Sequence, residues 1–186
     1  MTSELHSQID AFQEKYDYDM AYAREVAAVD PKLYMQFFEA TQLAQFDGGL
    51  PKDAHWAVGA LAVMAGDCGP CLQLSVQLGE EAGVSEEVMR AVLAGDFEAL
   101  SGDTRLCAEF AQALLKRTSA LPELRQQVIA RLGKAGAIAV AYALIASSMY
   151  PTLKYAIGHG HTCSPVLLSG RRVPVENSVV RLAGVD

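Results

Sequence analysis

Gly66-Asp67-Cys68-Gly69-Pro70-Cys71-Leu72-Gln73-Leu74-Ser75 is the stretch on which the reading of this chain turns, with two cysteines three residues apart. Inside a continuing helix the Pro70 ring would collide with the carbonyl of Gly66, yet proline is at ease in a first turn, whose N–H has no helical partner. One helix therefore ends near Gly66 and another begins near Cys68, with Asp67 expected as its N-cap. An i, i+3 spacing puts both thiols on one face, close enough to join as a disulfide and part again. The positive end of the helix favours a thiolate, and such surroundings bring a cysteine from about 8.5 down to roughly 3.5–7.5.

At 100° per residue, Cys68, Cys71, Leu72, Leu74, Ser75, Val76, Leu78, Gly79 and Ala82 share one arc, while Gln73, Gln77, Glu80 and Glu81 lie opposite. The thiols are thus expected to face inward, where a small oxidant could reach them. Cys107 falls on the apolar stripe of a later helix, with Leu106, Phe110 and Leu114, and reads as a small core residue.

The rest of the composition narrows the field. The chain has 186 residues, 51% of them hydrophobic, and a net charge of -7, so one domain with a sizeable core is expected and a nucleic-acid surface is not. Met1-Thr2-Ser3-Glu4-Leu5-His6 has no basic segment followed by an apolar run, so no secretory signal is read and the cytoplasm is expected. Four cysteines do not make a disulfide scaffold, and in a reducing compartment a C-x-x-C points to redox chemistry or a metal. The uncharged run between Lys134 and Lys154 is alanine-rich and shorter than the roughly 20 residues that span a bilayer, so it reads as a closely packed central helix and no membrane partner is expected.

Strand signals are almost absent and helix signals run throughout. Helices are expected over Ser3–Tyr16, Asp19–Val29, from Asp30-Pro31 to about Phe46, over His55–Ala65, from the cysteines to Gly83, from Ser85 to Gly95, and from Ser101 or Asp103 onward. A further helix opens at Leu121-Pro122-Glu123 and ends at Gly133, and the alanine-rich helix follows, to be kinked or stopped at Pro151. The expected organisation is an all-α, single-domain helical bundle over residues 1–158, then a non-helical tail over 159–186. That tail opens with His159-Gly160-His161-Thr162-Cys163.

Over residues 50–115, the Leu50-Pro51-Lys52 opening, a buried helix, Cys68-Gly69-Pro70-Cys71, the phrase Glu81-Ala82-Gly83-Val84-Ser85-Glu86-Glu87-Val88 and a further helix resemble the alkylhydroperoxidase D-like, or carboxymuconolactone decarboxylase, superfamily. The resemblance implies a helical fold assembling as a homo-oligomer, trimer or hexamer, with active sites near subunit contacts. The cysteine pair places the likeness in the peroxidase branch. There the pair reduces hydroperoxides through a disulfide that a lipoyl-bearing protein or other dithiol re-reduces. Two positions depart from the pattern: where the family carries a relay His this chain has Ser75, and where it carries a Glu this chain has Trp56, beside His55.

The expected function is a thiol peroxidase, or disulfide oxidoreductase, cycling Cys68 and Cys71, with His55 or Asp67 as a stand-in base and no cofactor. Helix position favours Cys68 as the attacking thiol, whereas the family pattern favours Cys71. Two other readings stay open: an oligomeric binding protein that has lost catalysis, and a zinc module joining the cysteines to two of His159, His161 and Cys163.

Overall fold

The computed structural model describes residues 2–162 and 165–180, and their backbone is mostly helical. In chain order the helices are α1 (Thr2–Tyr16), α2 (Ala21–Val29), α3 (Pro31–Thr41), α4 (Lys52–Ala65), α5 (Gly69–Glu81), α6 (Glu86–Leu93), α7 (Gly102–Lys116) and α8 (Leu121–Ala156). A two-stranded antiparallel hairpin follows, β1 (Val166–Leu168) paired with β2 (Arg171–Val173).

Local signals set most boundaries. The Asp30 carboxylate accepts from the Lys32 amide at 2.9 Å and Pro31 occupies the first turn, which starts α3. Ser85 accepts from Val88 at 3.4 Å, with Glu86 and Glu87 at the positive end of α6.

Helix α4 is the axle of the fold. Ala54, Ala57, Val58, Ala60, Leu61, Ala62 and Met64 are wholly buried, because α7 and α8 both pack against it. Small side chains let the helices approach closely: Gly59 leaves only 3.1 Å between a would-be Cβ and Ser147 Oγ of α8. Around α4 the main core gathers α5, α6, α7, α8 and the hairpin, whose Val166, Leu168 and Val173 are buried in it. A second, smaller apolar cluster holds Leu5, Ile9, Tyr18, Met20, Tyr22, Ala23 and Ala27 from α1, α2 and their link.

Of the two alternatives expected at Pro151, a kink or a stop, the stop does not occur in α8. Gly133, with φ 71° and ψ 178°, breaks the helical path, as its sequence position suggests. Pro151 does not stop it, and the helix continues to Ala156. The buried Pro151 ring lies where a Cβ on Gly66 would be 2.5 Å away, so packing against the α4–α5 turn holds the last turns in place. By length and composition α8 is also apolar enough to cross a membrane. Its Ala139, Val140, Ala143 and Ala146 face the protein core, while Ile138 and Ile145 are exposed.

Candidate active site

The turn from α4 into α5 builds the cysteine pair. Asp67 has a left-handed backbone, φ 51°, and its N–H donates to Met64 O at 3.1 Å, so it closes α4. It does not cap α5, as the sequence suggests it would. Cys68 does: its backbone is extended, and its sulfur accepts from the Cys71 amide at 3.4 Å. The aspartate is drawn away by Asn177, whose amide donates to Asp67 Oδ1 at 2.9 Å. Pro70 sits in the first turn and Gly69 N–H donates to His161 O at 3.0 Å, so the chain after α8 folds over the start of α5.

Cys68 and Cys71 are joined as a disulfide, with Cα atoms 5.3 Å apart. The two sulfurs differ in surroundings. Cys68 is fully buried in the main core, whereas Cys71 is part of the wall of a cavity of about 630 Å³. That volume is in the range of small-molecule sites. The cavity lies between the two apolar clusters. Its wall combines aliphatic side chains with aromatic ones that include Tyr18, Tyr34 and Tyr150.

Ser75 and Trp56 also line the cavity, and they touch: Trp56 Nε1 donates to Ser75 O at 2.8 Å. The two positions at which the resemblance would place an acid–base pair therefore form a neutral, non-titrating contact. His55 faces the same cavity, and its buried Nδ1 has no hydrogen-bond partner among the described residues.

Two residues that sequence reasoning passed over stand closer to the sulfur. Tyr18 Oη lies 3.8 Å from Cys71 Sγ, and since a disulfide sulfur has no proton to give, the hydroxyl is the donor. Lys154 Nζ donates to the same oxygen at 3.2 Å. The amine is 2% exposed, lies over the Tyr18 and Tyr22 rings at 4.6 and 5.2 Å, and is ion-paired to no carboxylate among the described residues. Burial holds Lys154 below its ordinary pKa, with Asp19 opposing, and burial raises Tyr18, Tyr22, Tyr34 and Tyr150 above theirs. The only sequence signals were the density of tyrosine near Tyr18 and a lysine, Lys154, at the end of the uncharged run of α8.

The remaining candidates lie apart. His159 Nε2 meets the Glu25 carboxylate at 2.7 Å, and His161 lends α5 its backbone carbonyl. Cys163 lies outside the described residues, and among those described no three His, Cys, Asp or Glu side chains gather as a metal site. Cys107 is buried and its thiol is pushed up to about 12 by desolvation, which leaves it inert. The chain matches no family model, no curated protein and no solved structure.

Proposed function

We propose that the protein is a thiol peroxidase that reduces a small hydroperoxide with the Cys68–Cys71 pair, in a helical bundle of the alkylhydroperoxidase D-like type. The observation that carries the reading is the asymmetry of the pair: one sulfur opens onto a cavity and the other is sealed in the core at a helix N-cap. Cys71 is then the attacking thiol and Cys68 the resolving one. The Cys71 thiolate attacks the O–O bond, forming a sulfenic acid and expelling an alkoxide, which takes a proton to leave as alcohol. Cys68 then displaces the sulfenic oxygen as water, and the disulfide forms.

Reduction follows from the same geometry. A dithiol, or a lipoyl-type donor, attacks the accessible Cys71 sulfur as a thiolate and expels Cys68. The leaving thiolate is stabilised by the Cys71 N–H that already points at it and by the start of α5, and a better-stabilised thiolate leaves faster. His55, which lines the same cavity, is the stand-in base of the sequence reading. Exposed Leu33, Phe38, Phe46, Ile138 and Ile145 support assembly as a homo-oligomer, while a trimeric or hexameric state and a cytoplasmic location rest on the sequence reading.

The test is mass spectrometry of alkylated, pre-reduced protein before and after substoichiometric hydroperoxide. The expected result is loss of two reactive thiols from the peptide bearing Cys68 and Cys71, reversed by a dithiol. Retention of both thiols at full hydroperoxide exposure sinks the proposal.

A further inference from the structure

We propose that Tyr18 and Lys154 form the proton relay for Cys71, Tyr18 as the group that meets the sulfur and Lys154 as the positioning and proton-holding residue behind it. This rests on Cys71 being the working thiol of the peroxidase reading. The contacts run in line: Lys154 Nζ donates to Tyr18 Oη at 3.2 Å, and the Tyr18 hydroxyl points on to Cys71 Sγ at 3.8 Å. A tyrosine whose oxygen accepts from an ammonium is a stronger donor through its own hydrogen, and hydrogen bonds in a chain polarise one another. The relay enters from α8 and the α1–α2 link, and so replaces a titratable pair that Trp56 and Ser75 do not supply.

The charges balance only in the reduced state. With Cys71 as thiolate, the Lys154 ammonium has a counter-charge one hydroxyl away. When the thiolate attacks a hydroperoxide, the expelled alkoxide takes the Tyr18 proton, and Tyr18 is refilled from Lys154. Sulfenic acid, alcohol and a neutral amine result. Condensation with the Cys68 thiol releases water and leaves the disulfide. Burial then favours the neutral amine, because the charged form has lost its partner. On reduction by a dithiol, one of the two thiol protons is taken up by Lys154 and Cys71 stays a thiolate.

Other groups face this centre. Asp19 acts from the α1–α2 link and favours the ammonium, and Tyr22 comes from α2, its ring 5.2 Å from the Lys154 amine. Tyr34, His55 and Tyr150 line the cavity from α3, α4 and α8. None of these has a hydrogen bond to Cys71 Sγ, which Tyr18 alone makes among the described residues.

The experiment is the pH profile of iodoacetamide alkylation at Cys71 in the reduced full-length protein, resolved from Cys68 by fragment ions. It is run on the wild type, Tyr18→Phe, Lys154→Met and the double variant. Protection of Cys107 in each sample reports that the fold is intact. The expected result is that each single variant moves the Cys71 midpoint up by about one pH unit, a roughly tenfold slower alkylation below the midpoint. The double variant should match the larger single effect, because both act through one chain. Tyr18→Phe removes one hydroxyl and keeps the ring, so it decides the question if Lys154→Met fails to fold.

Unchanged midpoints in folded variants overturn the relay, as does a shift with His55→Ala alone. The peroxidase reading is scored separately by hydroperoxide-driven thiol loss. A shifted midpoint without thiol loss keeps the relay and removes the peroxidase; thiol loss with unshifted midpoints does the reverse.

Discussion

The apolar interior has two parts of different texture. Around α4 the main core is close-packed, built largely from alanine, valine, leucine and methionine with glycines where helices touch. The cluster under α1 and α2 is aromatic, holds buried hydroxyls and a buried lysine, and borders the cavity. A close-packed core fixes the position of a turn but leaves no space for a substrate. The looser aromatic part has both space and protons. The disulfide sits on the boundary, with Cys68 belonging to the first part and Cys71 facing the second.

The largest expected effect breaks the boundary itself. Cys71→Ser should lower hydroperoxide turnover by about a thousandfold or more, measured as peroxide consumption with a dithiol donor, because the nucleophile is gone. Next comes the main core. Leu61→Ala, at a wholly buried position on α4, should cost about 2–5 kcal/mol in urea unfolding, more than Leu5→Ala beside the cavity, where neighbours have room to relax. If Leu5→Ala costs as much, the two textures are not energetically distinct.

A smaller effect sharpens the comparison at the cavity wall. A Cβ on Gly79 would stand 2.4 Å from Trp56 Nε1, so Gly79→Ala must displace the indole that closes the cavity beside Ser75. We expect a loss of about 1–3 kcal/mol, typical of overpacking, together with altered access of Cys71 to alkylating reagents of different size.

Lys154 gives a pH test of the aromatic part. Its folded pKa lies below the ordinary 10.5, so the unfolded chain binds that proton more tightly. The penalty is fully present at low pH and fades as pH rises through the folded value. Stability of the oxidised protein should therefore climb with pH from the lowered folded value up to the ordinary 10.5, and Lys154→Met should flatten that climb. The buried tyrosines act with the opposite sign only above their ordinary value of 10.0, where the unfolded chain ionises. The smallest effect is at the hairpin. The Gln73 amide donates to Leu167 O at 3.1 Å and accepts from Leu167 N at 2.7 Å, so Gln73→Ala should cost about 0.5–1.5 kcal/mol by thermal denaturation and leave Cys71 unaffected.

The sequence by itself determined the helices and the start of α5. Caps at Asp30 and Ser85, the first-turn Pro70 and the break at Gly133 act within a few residues of themselves, and local rules reach that far. It also marked Cys68 and Cys71 as a pair, because their spacing alone puts both on one face. Only the tertiary structure decided which sulfur meets the cavity, that Asp67 turns to Asn177 and leaves the cap to Cys68, and that Pro151 is tolerated inside α8. Tyr18 stands 53 residues from Cys71, and Lys154 stands 136 from Tyr18. Contacts at such separations depend on how α1, α2, α5 and α8 pack, and no periodicity within one helix encodes where another helix's side chain will end.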